Sequence, residues 1–233
     1  MSFPSDGRNH RRAIQSEQSL DSFVYDLQNI YGSEILEIVH RGGTQNTEDN
    51  IIRFATRGDV RISLKLKSRG PNIGSLDYVN TSAFDKDIAP RSMEIYNRYR
   101  GTGNINHYRL LKTAINDDLD SISDDFVTDF FVERVLKKYT GIDLIIIDGK
   151  NGTIHRVVPV VFDLVESGGK LRVKRSSRGG MSRQLVGVDT NGTEMPIHLR
   201  LRLHLNNGKT KWLSGDSSSL VLKFQQDKVG EMV

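Results

Sequence analysis

Residues 49–67 read Asp49-Asn-Ile-Ile-Arg-Phe-Ala-Thr-Arg-Gly-Asp-Val-Arg-Ile-Ser-Leu-Lys-Leu-Lys67 and decide the fold expected of this chain. The second half alternates with the period of two that is typical of a half-buried β-strand. Its apolar and polar sets are Val60, Ile62, Leu64 and Leu66 against Arg61, Ser63, Lys65 and Lys67. The first half alternates in the same way, with Asn50, Ile52 and Phe54 against Asp49, Ile51 and Arg53. The stretch therefore predicts a β-hairpin with one apolar face and one polar face.

The length of the turn decides which side chains of the hairpin lie opposite each other. A three-residue loop, Thr56-Arg57-Gly58, with the glycine in the left-handed conformation, pairs Asp49 with Lys65. A two-residue loop would pair Asp49 with Leu66 and mix the two faces. Because burial of one apolar face strongly specifies register, we expect the three-residue loop. It places Asp49, Ser63 and Lys65 close together on the polar face.

Composition narrows the class of protein. The chain has 233 residues, enough for one large or two small domains, with 36% hydrophobic residues and a net charge of +4. No apolar run approaches the roughly 20 residues that span a bilayer, and the first residues have no signal-peptide core, so we expect a soluble cytoplasmic protein. The absence of cysteine excludes disulfides, thiolate catalysis and cysteine-zinc sites. The basic balance favours a polyanionic partner.

The chain divides by pattern into three portions. Residues 1–12 are polar and basic and predict a mobile arm. Residues 13–140 combine the hairpin with helical spacing, and residues 141–233 are rich in β pattern, as a separate domain or as one continuous domain with the core. Helices are predicted over 20–31, 89–100 and 126–139, and the valine-rich run 154–165 predicts a strand.

The hairpin resembles the core of the PD-(D/E)xK nuclease superfamily, the restriction-endonuclease-like proteins. That core has an acid on one strand and an acid-x-lysine on the next. Asp49 matches the first acid, and Ser63-Leu64-Lys65 occupies the acid-x-lysine position with serine in place of the second acid. The resemblance covers about residues 17–100 and implies an α/β (α+β) fold, with a central mixed β-sheet flanked by helices and a β-rich basic C-terminal portion.

The resemblance also implies metal-assisted hydrolysis of a phosphodiester. Mg²⁺, with Mn²⁺ as a substitute, would be held by Asp49, while Lys65 would orient or deprotonate the attacking water. The hydroxyl of Ser63 is a poor Mg²⁺ ligand, so a second carboxylate must come from elsewhere. Glu34 or Glu37 is the favoured source, in a candidate set of Glu17, Glu34, Glu37, Glu48 and Asp77.

A second acid-x-lysine occurs at Asp148-Gly149-Lys150, after an apolar run. The composition of 148–152, Asp-Gly-Lys-Asn-Gly, is typical of a turn between two strands. We therefore predict a turn there and not a catalytic site.

A basic surface is expected to hold the phosphates of DNA, most simply double-stranded DNA. Its members lie on strands in which basic and apolar residues alternate and in the loops beside them: Lys67, Arg69, Arg172, Lys174, Arg175, Arg178, Arg183, Arg200 and Arg202. A homodimer would follow if both DNA strands are cut symmetrically. A solvated sheet face is the alternative reading of the same residues.

The sequence thus favours a Mg²⁺-dependent endonuclease, of restriction type or phage-encoded. The leading alternative is a non-catalytic nucleic-acid-binding or assembly protein with a decayed nuclease core, which Ser63 favours. A third is a structural protein whose basic sheet packs against an acidic partner.

Overall fold

The computed structural model describes residues 20–41, 48–66, 76–81, 88–148, 152–157, 159–175 and 180–226, with the main chain alone at 65–66, 76–81 and 148. The chain forms two compact units. The first comprises Met1–Gly74, Lys137–Pro159 and Val229–Val233, and the second Ser75–Leu136 and Val160–Lys228. The predicted basic arm lies outside the described residues.

The first unit contains a helical segment and a five-stranded sheet. A 3₁₀ turn, Leu20–Phe23, leads into helix α1, Val24–Tyr31, which ends where Gly32 adopts a left-handed conformation (φ 63°) and donates to the carbonyl of Gln28. The strands of this unit are β1 (Ile35–His40), β2 (Asn50–Phe54), β3 (Val60–Leu66), β5 (Ile142–Asp148) and β6 (Thr153–Val157), and β4 belongs to the second unit.

The sheet of the first unit is mixed, in the order β1-β2-β3-β5-β6. β1, β2 and β3 are antiparallel neighbours, β5 runs parallel to β3, and β6 returns antiparallel to β5. One face of the sheet packs against the helical segment around a core of Leu20, Leu27, Tyr31, Ile52, Phe54, Ile62, Leu64, Ile145, Ile147 and Ile154. The predicted apolar face of the hairpin is therefore confirmed.

The second unit begins with β4, Leu76–Thr81, and three helices, α2 (Pro90–Tyr99), α3 (Ile105–Ser121) and α4 (Asp124–Phe131). Ser123 caps α4 by accepting from the amide of Phe126, and Asn104 caps α3. A π-helical turn, Val132–Leu136, follows α4, and a short turn of helix, α5 (Lys137–Tyr139), belongs to the first unit. The second unit continues with α6 (Val160–Glu166) and α7 (Gly208–Ser214).

The sheet of the second unit has the order β4-β10-β9-β8-β7 and is antiparallel throughout. Its remaining strands are β7 (Lys170–Lys174), β8 (Ser182–Val188), β9 (Glu194–Asn206) and β10 (Ser219–Gln226). The leucines of β9 are buried at every second position, and Trp212 of α7 is buried with its indole N–H donating to the carbonyl of Tyr96 at 3.1 Å.

These elements confirm the mixed α/β prediction at the level of class, including a mixed sheet with helices. The division expected at residue 140 differs from the observed one, because β5 and β6 join the sheet of the hairpin through the parallel pairing of β5 with β3. The predicted strand over 154–165 is wrong in its second half, where Val160–Glu166 is helical. None of the helices in the described ranges has the length and apolar character needed to cross a membrane.

Candidate active site

Asp49 lies directly before β2 and is fixed at both main-chain groups. Its amide donates to the carbonyl of Ile62 and its carbonyl accepts from the amide of Arg41, each at 2.8 Å. In the hairpin, Asn50 is opposite Ile62 and Ile52 is opposite Val60. Continuing this register by one step sets Asp49 opposite Ser63.

The predicted pairing of Asp49 with Lys65 is therefore wrong by two residues. The last paired residues, Ile52 and Val60, are joined by residues 53–59, not by a three-residue loop. The end of β2 is held by β1, since Phe54 pairs with Ile35 and the amide of Ala55 donates to the carbonyl of Glu34. A shift of two residues leaves every side chain on its predicted face, so the apolar pattern alone could not distinguish the two registers.

The carboxylate of Asp49 is anchored to β3. Oδ2 accepts from the amide of Leu64 at 2.5 Å and from the hydroxyl of Ser63 at 3.3 Å. Asp49 itself is half-buried, whereas Ser63 is fully buried. The carboxylate therefore has one fixed orientation, with Oδ2 turned toward the main chain of β3.

Tyr139, in α5, completes this cluster. Burial and the negative charge of Asp49 raise the pKa of Tyr139 to about 12, although a hydrogen bond with Ser63 acts in the opposite direction. The tyrosine is therefore neutral at physiological pH and is a hydrogen-bonding partner of Ser63. No sequence motif predicts this residue, because it comes from a segment 76 positions beyond Ser63 and reaches the cluster only in the folded unit.

The residue after Asp49 ties the hairpin to β1. Asn50 is fully buried, and its Oδ1 lies 2.7 Å from Nδ1 of His40, the residue opposite it on β1. Nε2 of His40 in turn lies 3.5 Å from the carboxylate of Asp21. Asp49 thus precedes a strand whose first residue is held from two sides.

The structure does not bring Glu34 or Glu37 to Asp49. Glu37 is opposite Arg53 on β2 and forms an ion pair with it at 2.6 Å, four residues from Asp49, or about 13 Å along a strand. Glu34 is opposite Ala55, about 20 Å away by the same measure. The sequence-based assignment of either glutamate as a metal ligand beside Asp49 therefore does not hold.

Other predicted members of the site are placed only in part. Lys65 belongs to β3 and is opposite Ile146 of β5, but its side chain is outside the described part of the structure. The main chain of Asp77, in the second unit, pairs with Gln225. Glu48 is half-buried next to Asp49. Glu17, Lys67, Arg69 and Arg178 all lie outside the described residues.

No group of three or more histidine, aspartate or glutamate residues that could hold a metal ion occurs within the described ranges. Asp148, at the end of β5, pairs with Thr153 at the start of β6, whereas Gly149 and Lys150 of the rival acid-x-lysine, for which we predict a turn, lie outside the described residues. Asp49 is thus the carboxylate around which the hairpin builds a candidate site.

The basic strand surface occurs in the second unit, but its positive charge is partly neutralised by acidic residues and some of its arginines are half-buried. Arg200 and Arg202 are half-buried on the polar face of β9, opposite Gln225 and Lys223 of β10. Arg172 is paired with Glu194 at 2.5 Å and lies 3.7 Å from Asp124. Lys174 and Arg175 are exposed.

Arg183 was predicted to bind nucleic acid, and this prediction is wrong. Its side chain is fully buried, with Nε donating to Asp120 at 2.7 Å and both terminal nitrogens donating to oxygens of Asn116, Gly180 and Ser182. The hydrogen bond and charge of Arg183, with a contribution from the charge of Arg175, lower the pKa of Asp120. Arg183 therefore joins β8 to α3 and has no donor left for a phosphate.

A second basic feature was missed. Residues 105–121 form α3, whose buried residues Leu111, Ala114, Ile115 and Leu119 have helical spacing that could have predicted it. Its outer face carries Arg109 and Lys112, both exposed.

The resemblance to PD-(D/E)xK nucleases rests on the sequence of the hairpin, at Asp49, Ser63 and Lys65. Ser63 occupies the position of the second acid, and its hydroxyl donates a hydrogen bond to Asp49 where the family pattern has a second carboxylate. Comparisons of the chain with protein-family models, with curated proteins and with solved structures found no match.

Proposed function

We propose that this protein is a Mg²⁺-dependent endonuclease that hydrolyses phosphodiester bonds of DNA, with Asp49 at its active site. The observation that supports the proposal is the anchored carboxylate of Asp49, held by the amide of Leu64 and the hydroxyl of Ser63, both on the neighbouring strand β3. A carboxylate fixed in one orientation loses little freedom when it binds a cation and a phosphate, and such preorganisation is what metal-assisted hydrolysis requires.

Asp49 offers one carboxylate oxygen to a Mg²⁺ ion. Oδ2 accepts two hydrogen bonds, whereas Oδ1 has no hydrogen-bond partner among the described residues and is the atom offered to a cation. Mg²⁺ in proteins is commonly bound by one or two carboxylates and takes its other ligands from water and substrate phosphate. The ion would supply charge neutralisation at the phosphate and a more acidic bound water.

The remaining residues act on the carboxylate and the water. The Ser63 hydroxyl and the Leu64 amide hold Oδ2, which leaves Oδ1 as the oxygen offered to a cation. We assign to Lys65 the orientation or deprotonation of the attacking water and the stabilisation of charge on the transition state. Double-stranded DNA is the proposed substrate, and two copies of the chain would act together if both strands are cut symmetrically.

The test is cleavage of a supercoiled plasmid in Mg²⁺, with EDTA as the metal-free control. Wild type should nick or linearise the plasmid only with Mg²⁺, and Asp49→Asn and Lys65→Ala should each lose at least about 100-fold in rate. Glu37→Gln is the matched control, since it removes a carboxylate about 13 Å from Asp49 and should leave the rate unchanged. Full activity in Asp49→Asn and Lys65→Ala would overturn the assignment. Single-stranded DNA and duplex RNA, as parallel substrates, test the substrate class.

A second candidate function is nucleic-acid binding without cleavage. It is favoured by the buried serine at position 63 and by the fact that the described ranges contain no group of three or more histidine, aspartate or glutamate residues that could hold a metal ion. This function predicts binding that weakens steeply with salt and yields no product with Mg²⁺ or Mn²⁺. Metal-dependent product that disappears in Asp49→Asn would exclude it.

A further inference from the structure

A basic groove lies in the second unit, along the outer face of α3. Arg109, Lys112, Thr113 and Asn116 line it from the helix and Gly180 lines it from the segment before β8, enclosing about 340 Å³. Spacings of three, four and seven residues place these helical side chains on one face. The opposite face of α3 is buried in the unit.

The floor of the groove is fixed by partly buried hydrogen bonds. Oδ1 of Asn116 accepts from the amide of Gly180 at 3.0 Å and from Nη2 of Arg183 at 2.7 Å. Arg183 is itself held by Asp120. Because both donors occupy Oδ1, the amide nitrogen Nδ2 of Asn116 is the part of this side chain left for a ligand, and it can only donate.

The cations of the groove are not neutralised by any acid in the part of the chain that the structure describes. Arg109 donates to the neutral side chain of Asn106 at 3.1 Å, and neither Arg109 nor Lys112 has a carboxylate within 4 Å among the residues that the structure describes. Several other cations of the same unit do have such partners, as in the pairs Arg91–Asp117, Lys170–Asp125 and Arg172–Glu194. The charge of Arg183 is balanced by Asp120. The hydroxyl of Thr113 donates to the carbonyl of Arg109, and the amide of Gly180 donates to Asn116. The described lining thus combines two positive charges with one neutral donor, the amide nitrogen of Asn116, which is the chemistry of an anion site.

We propose that this groove binds the phosphodiester backbone of a nucleic acid strand. From Arg109 to Asn116 the helix rises about 10 Å, and phosphates follow one another about every 3.4 Å along the axis of each DNA strand, so the groove can contact at least two consecutive phosphates. Contacts to phosphate oxygens carry no sequence information, so we expect this binding to be independent of sequence. The choice of nucleic acid as the ligand rests on the proposed function, whereas the groove and its charge do not.

The test is the affinity of the full chain for a fluorescent 20-base-pair duplex, measured by anisotropy in EDTA so that no cleavage occurs. The double variant Arg109→Ala/Lys112→Ala should bind at least about tenfold more weakly at 0.1 M salt, and the slope of log K against log salt should fall by about two. The matched control, Arg91→Ala/Arg98→Ala, removes the same charge from exposed cations of α2 that are already paired with Asp117 and Glu94. It should change the affinity less than about twofold.

Three results would overturn the inference. One is an unchanged affinity and salt slope in the groove variant, and another is an equal loss in the control variant, which would indicate a net-charge effect only. The third is loss of inorganic phosphate binding in the groove variant with intact duplex binding, which would assign the groove to a free phosphate. Asp49→Asn should bind the duplex like wild type, so a failure of the cleavage proposal leaves this readout intact.

Discussion

Replacing Asp49 with alanine should destabilise the first unit, whatever its effect on activity. The substitution removes the acceptor of the Leu64 amide at 2.5 Å and of the Ser63 hydroxyl at 3.3 Å. Leu64 and Ser63 are buried, so water cannot fully replace the lost acceptor. An unsatisfied buried donor costs about 1–3 kcal/mol, and the Ser63 hydroxyl retains its bond with Tyr139, so we expect a total loss of about 2–3 kcal/mol.

Asparagine at position 49 should cost less, about 1 kcal/mol, because its carbonyl oxygen can replace Oδ2 as acceptor and only the charge assistance is lost. The assay is urea unfolding followed by circular dichroism at neutral pH. Ser63→Ala is a useful companion, since it removes the longer of the two bonds and leaves the Leu64 amide satisfied. If Asp49→Ala is within about 0.5 kcal/mol of wild type, the carboxylate does not anchor the hairpin and the reasoning fails.

The remaining predictions concern the buried polar groups and the glycines. Arg183→Met should lower the unfolding free energy, measured in urea, by about 3 kcal/mol, because it leaves a partly buried carboxylate and several carbonyls without their donor. The control is Arg98→Met, which removes an exposed ion pair with Glu94 at 3.7 Å and should lower the unfolding free energy by less than about 0.5 kcal/mol. Burial raises the pKa of Tyr139 to about 12, so the stability that its neutral form contributes is fully present below pH 10 and is lost as the pH rises from 10 to 12. Tyr139→Phe should therefore reduce the loss of unfolding free energy at alkaline pH by about 3 kcal/mol at most. A pH profile identical to that of wild type would contradict the assignment. Gly169→Ala should be destabilising by about 1–3 kcal/mol in thermal or urea unfolding, since its Cβ would lie 2.8 Å from the carbonyl oxygen of Leu164, whereas Gly58→Ala meets nothing within 4 Å and should be neutral or slightly stabilising.

The faces of the hairpin could be predicted from sequence, but its register could not. Alternation defines which side chains share a face, and Ile52, Ile62 and Leu64 are buried as expected. The choice among registers two residues apart depends on which partner takes the end of β2. That partner is β1, through Phe54 and Ile35, a contact that the hairpin sequence does not encode.

The secondary structure of short apolar runs also depends on contacts that their own sequence does not encode. Val160–Glu166 has the β-branched residues of a strand, but it forms a helix between Pro159 and Gly168. Seven residues are too few for periodicity to separate a helix from a strand, and the surrounding fold decides between them. By contrast, α1 was predictable because Leu27 and Tyr31 lie on one face of a longer periodic segment.

The residues of the candidate site were predictable one by one, but their partners were not. Asp49 and Ser63 share a face as the alternation required, and Tyr139 and the Leu64 amide entered only through the folded geometry. The burial of individual arginines could not be predicted either. No local sequence pattern distinguishes Arg183 from Arg109, yet Arg183 is buried against Asp120 whereas Arg109 is exposed.

The buried state of Ser63 bears directly on how a metal could act here. The serine is enclosed and hydrogen-bonded to Asp49, so it is not a vacant position to which a glutamate from β1 could be recruited. Since the described ranges hold no group of three or more possible ligands, we expect a cation at Asp49 to be held by one carboxylate oxygen and to take its remaining ligands from water and from the phosphate of the substrate. It follows that metal binding and DNA binding should be coupled, with each ligand raising the affinity for the other by the same factor.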